Sequence, residues 1–168
     1  MPLPQAPTKP PAPAKILHRP LASNRKARHE YTILETLEAG LSLLGTEVKA
    51  ARGGNVQLKD SYVEFRNGEA FLVGAHISAY SHGNRENHEP ERPRKLLMKR
   101  REIDRWAERV QGKGLTVVPL GFHLRGDRVK VEIGLAQGKK LYDKREDERK
   151  KELDREARDA VAAVRRIR

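Results

Sequence analysis

The 168-residue sequence contains no cysteine. That excludes disulfides, thiolate nucleophiles and thiolate metal sites, and it fits a reducing compartment. Aromatic residues are scarce, with one Trp, four Tyr and three Phe. An extended stacking platform for single-stranded RNA is therefore not the expected mode of recognition. No stretch approaches the roughly 18 apolar residues of a membrane span, and the N-terminus shows no apolar core of signal-peptide length. The expectation is a cytoplasmic protein with no membrane partner. Negative charge is in the minority: 23 Asp and Glu against 35 Lys and Arg, a formal charge of +12. A surplus of that size favours a polyanionic partner, because neutralised phosphates release condensed counterions.

Patterns that carry catalysis are also missing. The histidines at 18, 29, 76, 82, 88 and 123 show no metal-ligand spacing of the HExxH kind. His82 and His88 share a loop with Glu86 and Glu89, which reads as a polar surface loop before it reads as a metal site. Ser61, Ser78 and Ser81 lack a nucleophile elbow. Gly53-Gly54 closes a helix and does not open a phosphate loop. Nothing in the sequence brings Glu38 and Asp60 together as an acid-base pair, and no carboxylate cluster suggests a metal-dependent nuclease. No enzyme activity, metal, cofactor or small-molecule substrate is expected.

What is present falls into three parts. Residues 1–23 hold seven of the ten prolines and no acidic residue, which predicts a disordered tail bearing Lys9, Lys15 and Arg19. Residues 24–138 read mainly as strands. Tyr31, Ile33 and Leu37 alternate with polar positions, and Leu41–Leu44 follows as a short apolar run. Tyr62, Val63 and Phe65 precede Asn67-Gly68, a strong hairpin signal, and Phe71, Leu72 and Val73 follow it. Ile77 belongs to the next segment. Leu115–Leu124 and Arg128–Leu135 flank a second hairpin at Gly126-Asp127, with Pro119 marking an edge strand or a bulge. Two short helices interrupt the strands. The first is capped by Thr46 and ends after Arg52. The second runs over about 99–111 with Ile103, Trp106, Ala107 and Val110 on one face and Gly112 at its end. The predicted fold is mainly β with flanking short helices, a small closed barrel of the oligonucleotide-binding type.

Residues 139–168 hold twelve basic and eight acidic residues and neither Gly nor Pro. Leu153, Ala157, Val161 and Val164 make one thin helical stripe. Asp147–Lys151, Lys150–Asp154 and Asp154–Arg158 sit at i,i+4 spacing. The expectation is a tail that is helical only when bound to a charged partner.

Three basic clusters are the candidate binding residues. Asn24, Arg25, Lys26, Arg28, His29 and Tyr31 stand at the entry to the barrel. Arg92, Arg94, Lys95, Lys99, Arg100 and Arg101 surround Leu96, Leu97 and Met98. Lys139, Lys140, Lys144 and Arg145 surround Tyr142. Recognition of a folded RNA by shape and phosphate is the reading they support. A general nucleic-acid chaperone without a single RNA partner is the alternative, and competition with unrelated RNA separates the two.

The segments NRKARHEY (24–31), ETLEAGLSLLGTEVKAARGG (35–54), LKDSY (58–62), HISAYSHGN (76–84), RPRKLL (92–97) and LAQGKKLYDKRED (135–147) together resemble the SmpB, or SsrA-binding protein, family. The resemblance covers roughly residues 24–147. It implies an oligonucleotide-binding-like barrel that binds the tRNA-like domain of transfer-messenger RNA. It implies entry of that complex into stalled ribosomes for trans-translation, with the tail probing the small-subunit decoding centre and the empty mRNA channel. By the same resemblance Asn24, His29, Tyr31, Glu38, Lys95 and Leu97 fall on RNA-contact segments, and Lys99 stands where the family more often has His or Asn. Gly138, Lys139, Lys140, Tyr142, Asp143, Lys144 and Arg145 match the junction into the ribosome-binding tail. Glu38 either accepts hydrogen bonds from base amino groups or belongs to a fold-supporting ion pair.

Overall fold

The computed structural model describes the backbone of residues 18–82 and 87–167. Nine strands and four helices alternate among them. In chain order they are β1 (His18–Ser23), α1 (Arg25–Glu30), β2 (Tyr31–Leu41), α2 (Gly45–Arg52), β3 (Val56–Gln57), β4 (Tyr62–Arg66), β5 (Glu69–Val73), β6 (His76–Ile77), β7 (Arg94–Leu97), α3 (Arg100–Lys113), β8 (Thr116–Arg125), β9 (Arg128–Gly138) and α4 (Leu141–Ile167). The chain is mainly β with a few helices, as its sequence predicts.

Both predicted hairpins form. Asn67 and Gly68 take φ of 48° and 74° between the paired Arg66 and Glu69, the mirror-image turn that matches strand twist. Gly126 takes φ of 62° between the paired Arg125 and Arg128. Pro119 sits at a bulge: the β8–β9 register shifts between Pro119 and Gly121. The bulge accommodates the missing N–H, and β1, which pairs with β8 only from Gly121 to Arg125, does not reach Pro119.

The strands form one seven-stranded sheet in the order β1-β8-β9-β2-β7-β5-β4, with β3 and β6 as a separate pair. The sheet curls until β4 lies against β8, yet no ladder joins these two strands among the described residues. The expected closed barrel is thus an open, curled sheet. β1 holds the outer edge of β8 from Gly121 to Arg125. The Asn24 amide spans the seam beyond it, donating to Pro119 O at 2.9 Å and Leu58 O at 3.1 Å.

Several boundaries differ from the sequence reading. The sheet begins at His18, ahead of the expected boundary at residue 24; the rest of the proline-rich start lies outside the described residues. The six-residue helix α1, capped by Asn24, was masked in the sequence by its length and lack of an apolar stripe. Leu44, not Thr46, caps α2, and Glu47 Oε1 takes the Leu44 N–H at 3.0 Å. Thr46 lies inside the first turn, where its hydroxyl meets His88 Nδ1 at 2.8 Å. Helix α3 passes Gly112 and stops at Gly114, whose φ of 62° is the left-handed cap. The expected tail takes the form of helix α4, Leu141–Ile167. Opposite charges at i,i+4 spacing in its sequence favour it locally, and every residue from Glu148 to Arg166 is exposed.

A buried ion pair braces the interior. Glu47 and Arg94 are both fully buried, with Arg94 Nε 2.5 Å from Glu47 Oε2. Arg94 also donates to the carbonyls of Ala75, at 2.7 Å, and Pro90, at 2.8 Å. Arg92 pairs with the same carboxylate. Burial pushes the Glu47 carboxyl up, but the Leu44 N–H and the two guanidiniums outweigh it and hold the group below the usual glutamate range.

Candidate nucleic-acid interface

Pairing parity sorts the candidate residues. Gly40 faces Leu97 across β2–β7, and Gly40 also faces Lys130 across β2–β9. Residues two apart on a strand share a face, so Glu38, Lys95, Leu97, Lys130 and Glu132 all point to one side. Phe71, opposite Lys95, and His123, opposite Lys130, join them. This is the outer side of the sheet. The other side carries Ala39, Leu96, Val131, Ile133 and Leu135, all buried in the main core.

The bulge in β2 decides where Tyr31 belongs. Tyr31 and Glu38 are seven apart, an odd interval that would place them on opposite faces of a regular strand. The β2–β9 register shifts between Ile33 and Glu35, and this reverses the parity. Tyr31 and Ile33 pack on the outer side with Ala27, Val118, Leu120 and Ala136, whereas Leu37 packs on the main core. The alternation expected through Tyr31, Ile33 and Leu37 is therefore broken, and Tyr31 stands on the face that carries Glu38. Helix α1 covers this end of the face and brings Lys26 and His29 beside Tyr31.

Two expected RNA contacts prove to be interior. Arg94 is the inward neighbour of outward Lys95 and is held by Glu47. Asn24 is 5% exposed; besides its two donated bonds, its Oδ1 accepts the Ala27 N–H at 3.2 Å. Its hydrogen-bonding groups face the fold, which makes it a cap and a seam closure. Arg25 is exposed, and Lys26 is half-exposed and meets Asp60 at 2.7 Å. Lys99 is exposed at the cap of α3, where its backbone N–H meets Glu102 Oε2 at 3.0 Å.

Glu38 is half-buried, with His123 Nε2 at 2.9 Å and Arg125 Nη1 at 2.8 Å. Partial burial pushes its carboxyl up, but the bonds from Arg125 and His123 outweigh that and hold it below the usual glutamate range. The ion-pair alternative for Glu38 is thus real, and His123 and Arg125 belong to the same patch. Sequence reasoning passed over both, since β8 places them there only through pairing. Lys95 is exposed and meets Glu69 at 2.9 Å. Leu97 is 58% exposed, a large apolar side chain lying over Gly40. A Cβ on Gly40 would stand 3.0 Å from that of Leu97, so glycine lets Leu97 lie flat across β2.

The tail junction lies against α1. The Lys139 N–H donates to Glu30 O at 2.9 Å, its ammonium reaches Arg28 O at 3.3 Å, and it pairs with Asp147. His29 Nε2 lies 3.2 Å from Glu148. Gly138 ends β9, Lys140 precedes α4, and Asp143, Lys144 and Arg145 occupy its first turns. The Tyr142 side chain lies outside the described residues. His88, one of the loop histidines, is buried between Thr46 and Ile77 O, 2.8 Å from each. Among the described residues no cluster of metal-ligating side chains is found, and no helix is long and apolar enough to cross a membrane.

The family model described as SmpB protein matches residues 21–163. A protein of Carboxydothermus hydrogenoformans described as an SsrA-binding protein is 54% identical over 143 residues, covering 85% of this chain and 96% of that protein. One of Roseiflexus castenholzii with the same description is 56% identical over 140 residues, covering 83% and 89%. A solved chain described by the words "tmRNA-SmpB: a journey to the center of the bacterial ribosome" is similar with a TM-score of 0.60 and 44% identity. It covers 76% of this chain and 87% of that one. The matched span runs from β1 through the outer face and the tail junction into α4, and on that extent and identity the chain belongs to the SmpB family.

Proposed function

We propose that this chain binds the tRNA-like domain of a transfer-messenger RNA, the SsrA RNA for which its relatives are named, and delivers it to stalled ribosomes for trans-translation. The observation that carries this reading is one surface. The bulge in β2 and the pairing of β2 with β7 put Tyr31, Glu38, Lys95 and Leu97 on a single outer face, beside Lys26 and His29. Of these, His29, Tyr31, Glu38, Lys95 and Leu97 are positions where the family resemblance places RNA contact.

The curled sheet works as an incomplete oligonucleotide-binding-type barrel. Its outer face offers cations for phosphates and one exposed leucine for an unstacked base or ribose. Glu38 is pre-oriented by His123 and Arg125. When RNA arrives, its carboxylate accepts from base amino groups while the Arg125 guanidinium turns to phosphate. Arg25 and Lys99 flank the face as phosphate contacts, and Asn24 and Arg94 support it from inside. The protein acts by positioning and catalyses no step; it needs no cofactor, and its place of work is the cytoplasm, where ribosomes are.

The tail acts on the ribosome. Lys139, Lys140, Lys144 and Arg145 meet ribosomal RNA at the decoding centre, Tyr142 stacks, and α4 enters the empty mRNA channel as a helix. Asp143 counters the basic run in the first turn. The test has two parts. Lys95→Ala with Leu97→Ala is expected to weaken binding of the isolated tRNA-like domain at least tenfold in the presence of excess unrelated RNA. Truncation after Gly138 is expected to leave that binding largely intact and to stop peptide transfer to transfer-messenger RNA on ribosomes stalled on truncated messenger. Binding that excess unrelated RNA titrates away would favour a general chaperone and sink this reading.

A further inference from the structure

The loop from β6 to β7 carries an aromatic and cationic group that the outer face does not use. Tyr80 and His82 meet in a T-shaped contact, with ring centroids 5.5 Å apart and planes at 75°. The ammonium of exposed Lys49, on α2, stands 5.4 Å from the Tyr80 centroid. Arg52, one helical turn further along α2, is exposed too. In a chain of few aromatic residues, two rings and the Lys49 ammonium meet at one spot, and exposed Arg52 follows one turn along the same helix.

The spot is held, not floppy. The Asn87 side chain grips Tyr80 by both backbone groups, donating from Nδ2 to Tyr80 O at 2.8 Å and accepting the Tyr80 N–H at 3.2 Å. On one side of this grip, Ser78 N–H donates to Asn55 O at 3.0 Å and ties the loop to the end of α2. On the other, buried His88 bridges Thr46 of α2 and Ile77 O. Position and orientation of the Tyr80 backbone are therefore set by three separate anchors, while its ring and that of His82 serve no core cluster. A ring prepared in this way, with cations beside it, matches what an unpaired base and its phosphate require.

We infer that Tyr80, His82, Lys49 and Arg52 form a second RNA contact, which stacks one unpaired nucleobase on the Tyr80–His82 pair and receives the adjoining phosphates on Lys49 and Arg52. An exposed cation–ring contact is weaker than base stacking, so an arriving base displaces the Lys49 ammonium from the ring and leaves it free for phosphate. The contact shares no residue with the outer face, so one RNA, or two, meets the protein at separate places.

The test uses the full chain and a fluorescein-labelled single-stranded oligoadenylate ten nucleotides long, read by anisotropy at fixed salt, with a ten-base-pair RNA duplex as the comparison. Tyr80→Ala is expected to weaken oligoadenylate binding about tenfold, while Tyr80→Phe changes it by less than about twofold. Lys49→Ala is expected to lower the salt dependence by about one phosphate contact. Lys95→Ala with Leu97→Ala, on the outer face, is expected to leave the Tyr80-dependent fraction unchanged, which separates this site from the one proposed above. Thermal melts accompany each variant, and His82→Ala serves as the second probe if Tyr80→Ala melts early. Equal affinity of Tyr80→Ala and the parent overturns the inference. So do equal losses for Tyr80→Ala and Tyr80→Phe, or preference for the duplex.

Discussion

The sheet body and helix α4 are opposite solutions to the same highly charged composition. In the body, charge is placed by long-range partners: Glu47 meets Arg94 across 47 positions of sequence, and Glu38 meets Arg125 across 87. In α4, charge is placed by the helical repeat alone, and Leu153, Val161 and Val164 are each more than half exposed. The body is thus a cooperative structure in which single changes propagate. The helix is a local structure whose ordering costs little to undo and which has free surface for a partner. The two regions touch through the Lys139–Asp147 and His29–Glu148 contacts, at the point where sheet gives way to tail.

The sharpest break in this comparison comes from Arg94→Ala. Removing one member of a buried pair leaves Glu47 charged without its partner, a loss of about 3–5 kcal/mol. Leu153→Ala in α4 removes a side chain that is 59% exposed and is expected to cost less than about 0.5 kcal/mol. Urea unfolding followed through Trp106, the single and fully buried tryptophan, measures both; comparable losses would erase the distinction between the regions.

Asn24→Ala comes next. It removes a helix cap, about 1 kcal/mol, and leaves the Leu58 and Pro119 carbonyls without their donor at the seam, about 1–3 kcal/mol. A total near 2–3 kcal/mol is expected in the same unfolding experiment, with RNA affinity unchanged once the protein is folded. Lost affinity at unchanged stability would return Asn24 to the binding surface.

Acid should separate the regions by kind. Glu47 and Glu38 both have folded-state pKa values below their unfolded ones. The stability they contribute is present above the unfolded value, about 4.5, and is lost as pH falls through the folded value. Melting temperature of the body is therefore expected to drop below about pH 4.5, and Glu47→Gln to flatten that drop while lowering stability at neutral pH. A parent protein whose melting temperature holds constant from pH 6 down to pH 3 would contradict this account.

The smallest effect belongs to removal of residues 141–167. It cancels two partly exposed ion contacts, each worth about 1 kcal/mol or less, so the unfolding free energy of the body is expected to shift by less than about 1 kcal/mol. The far-ultraviolet helix signal should fall by the contribution of those residues. A large destabilisation would show that α4 is part of the cooperative unit.

Much of this molecule is written in local sequence. Asn67-Gly68 and Gly126-Asp127 specify their turns because those turns require residues tolerant of positive φ. The i,i+4 charges of the tail favour a helix because residues one turn apart are neighbours on its surface. The basic segments mark an RNA-binding protein because charge sums without regard to fold. What sequence leaves open is which side of a strand each residue takes and which strands lie side by side. Arg94 and Lys95 read alike as a basic pair, yet parity sends one to the core and one to the surface. Tyr31 and Glu38 share a face only because a bulge shifts the count by one, and a bulge has no single-residue signature. Asn24 reads as an RNA donor until β8 and the segment before β4 supply the carbonyls that occupy it. Nothing in the sequence puts Lys49 beside Tyr80, and only the placement of α2 brings its ammonium to the ring. The near-closure of the sheet is decided the same way, by β4 lying against β8 and the Asn24 amide spanning the seam from Leu58 to Pro119. These outcomes depend on contacts between residues far apart in the chain, and such contacts exist only once the chain has folded.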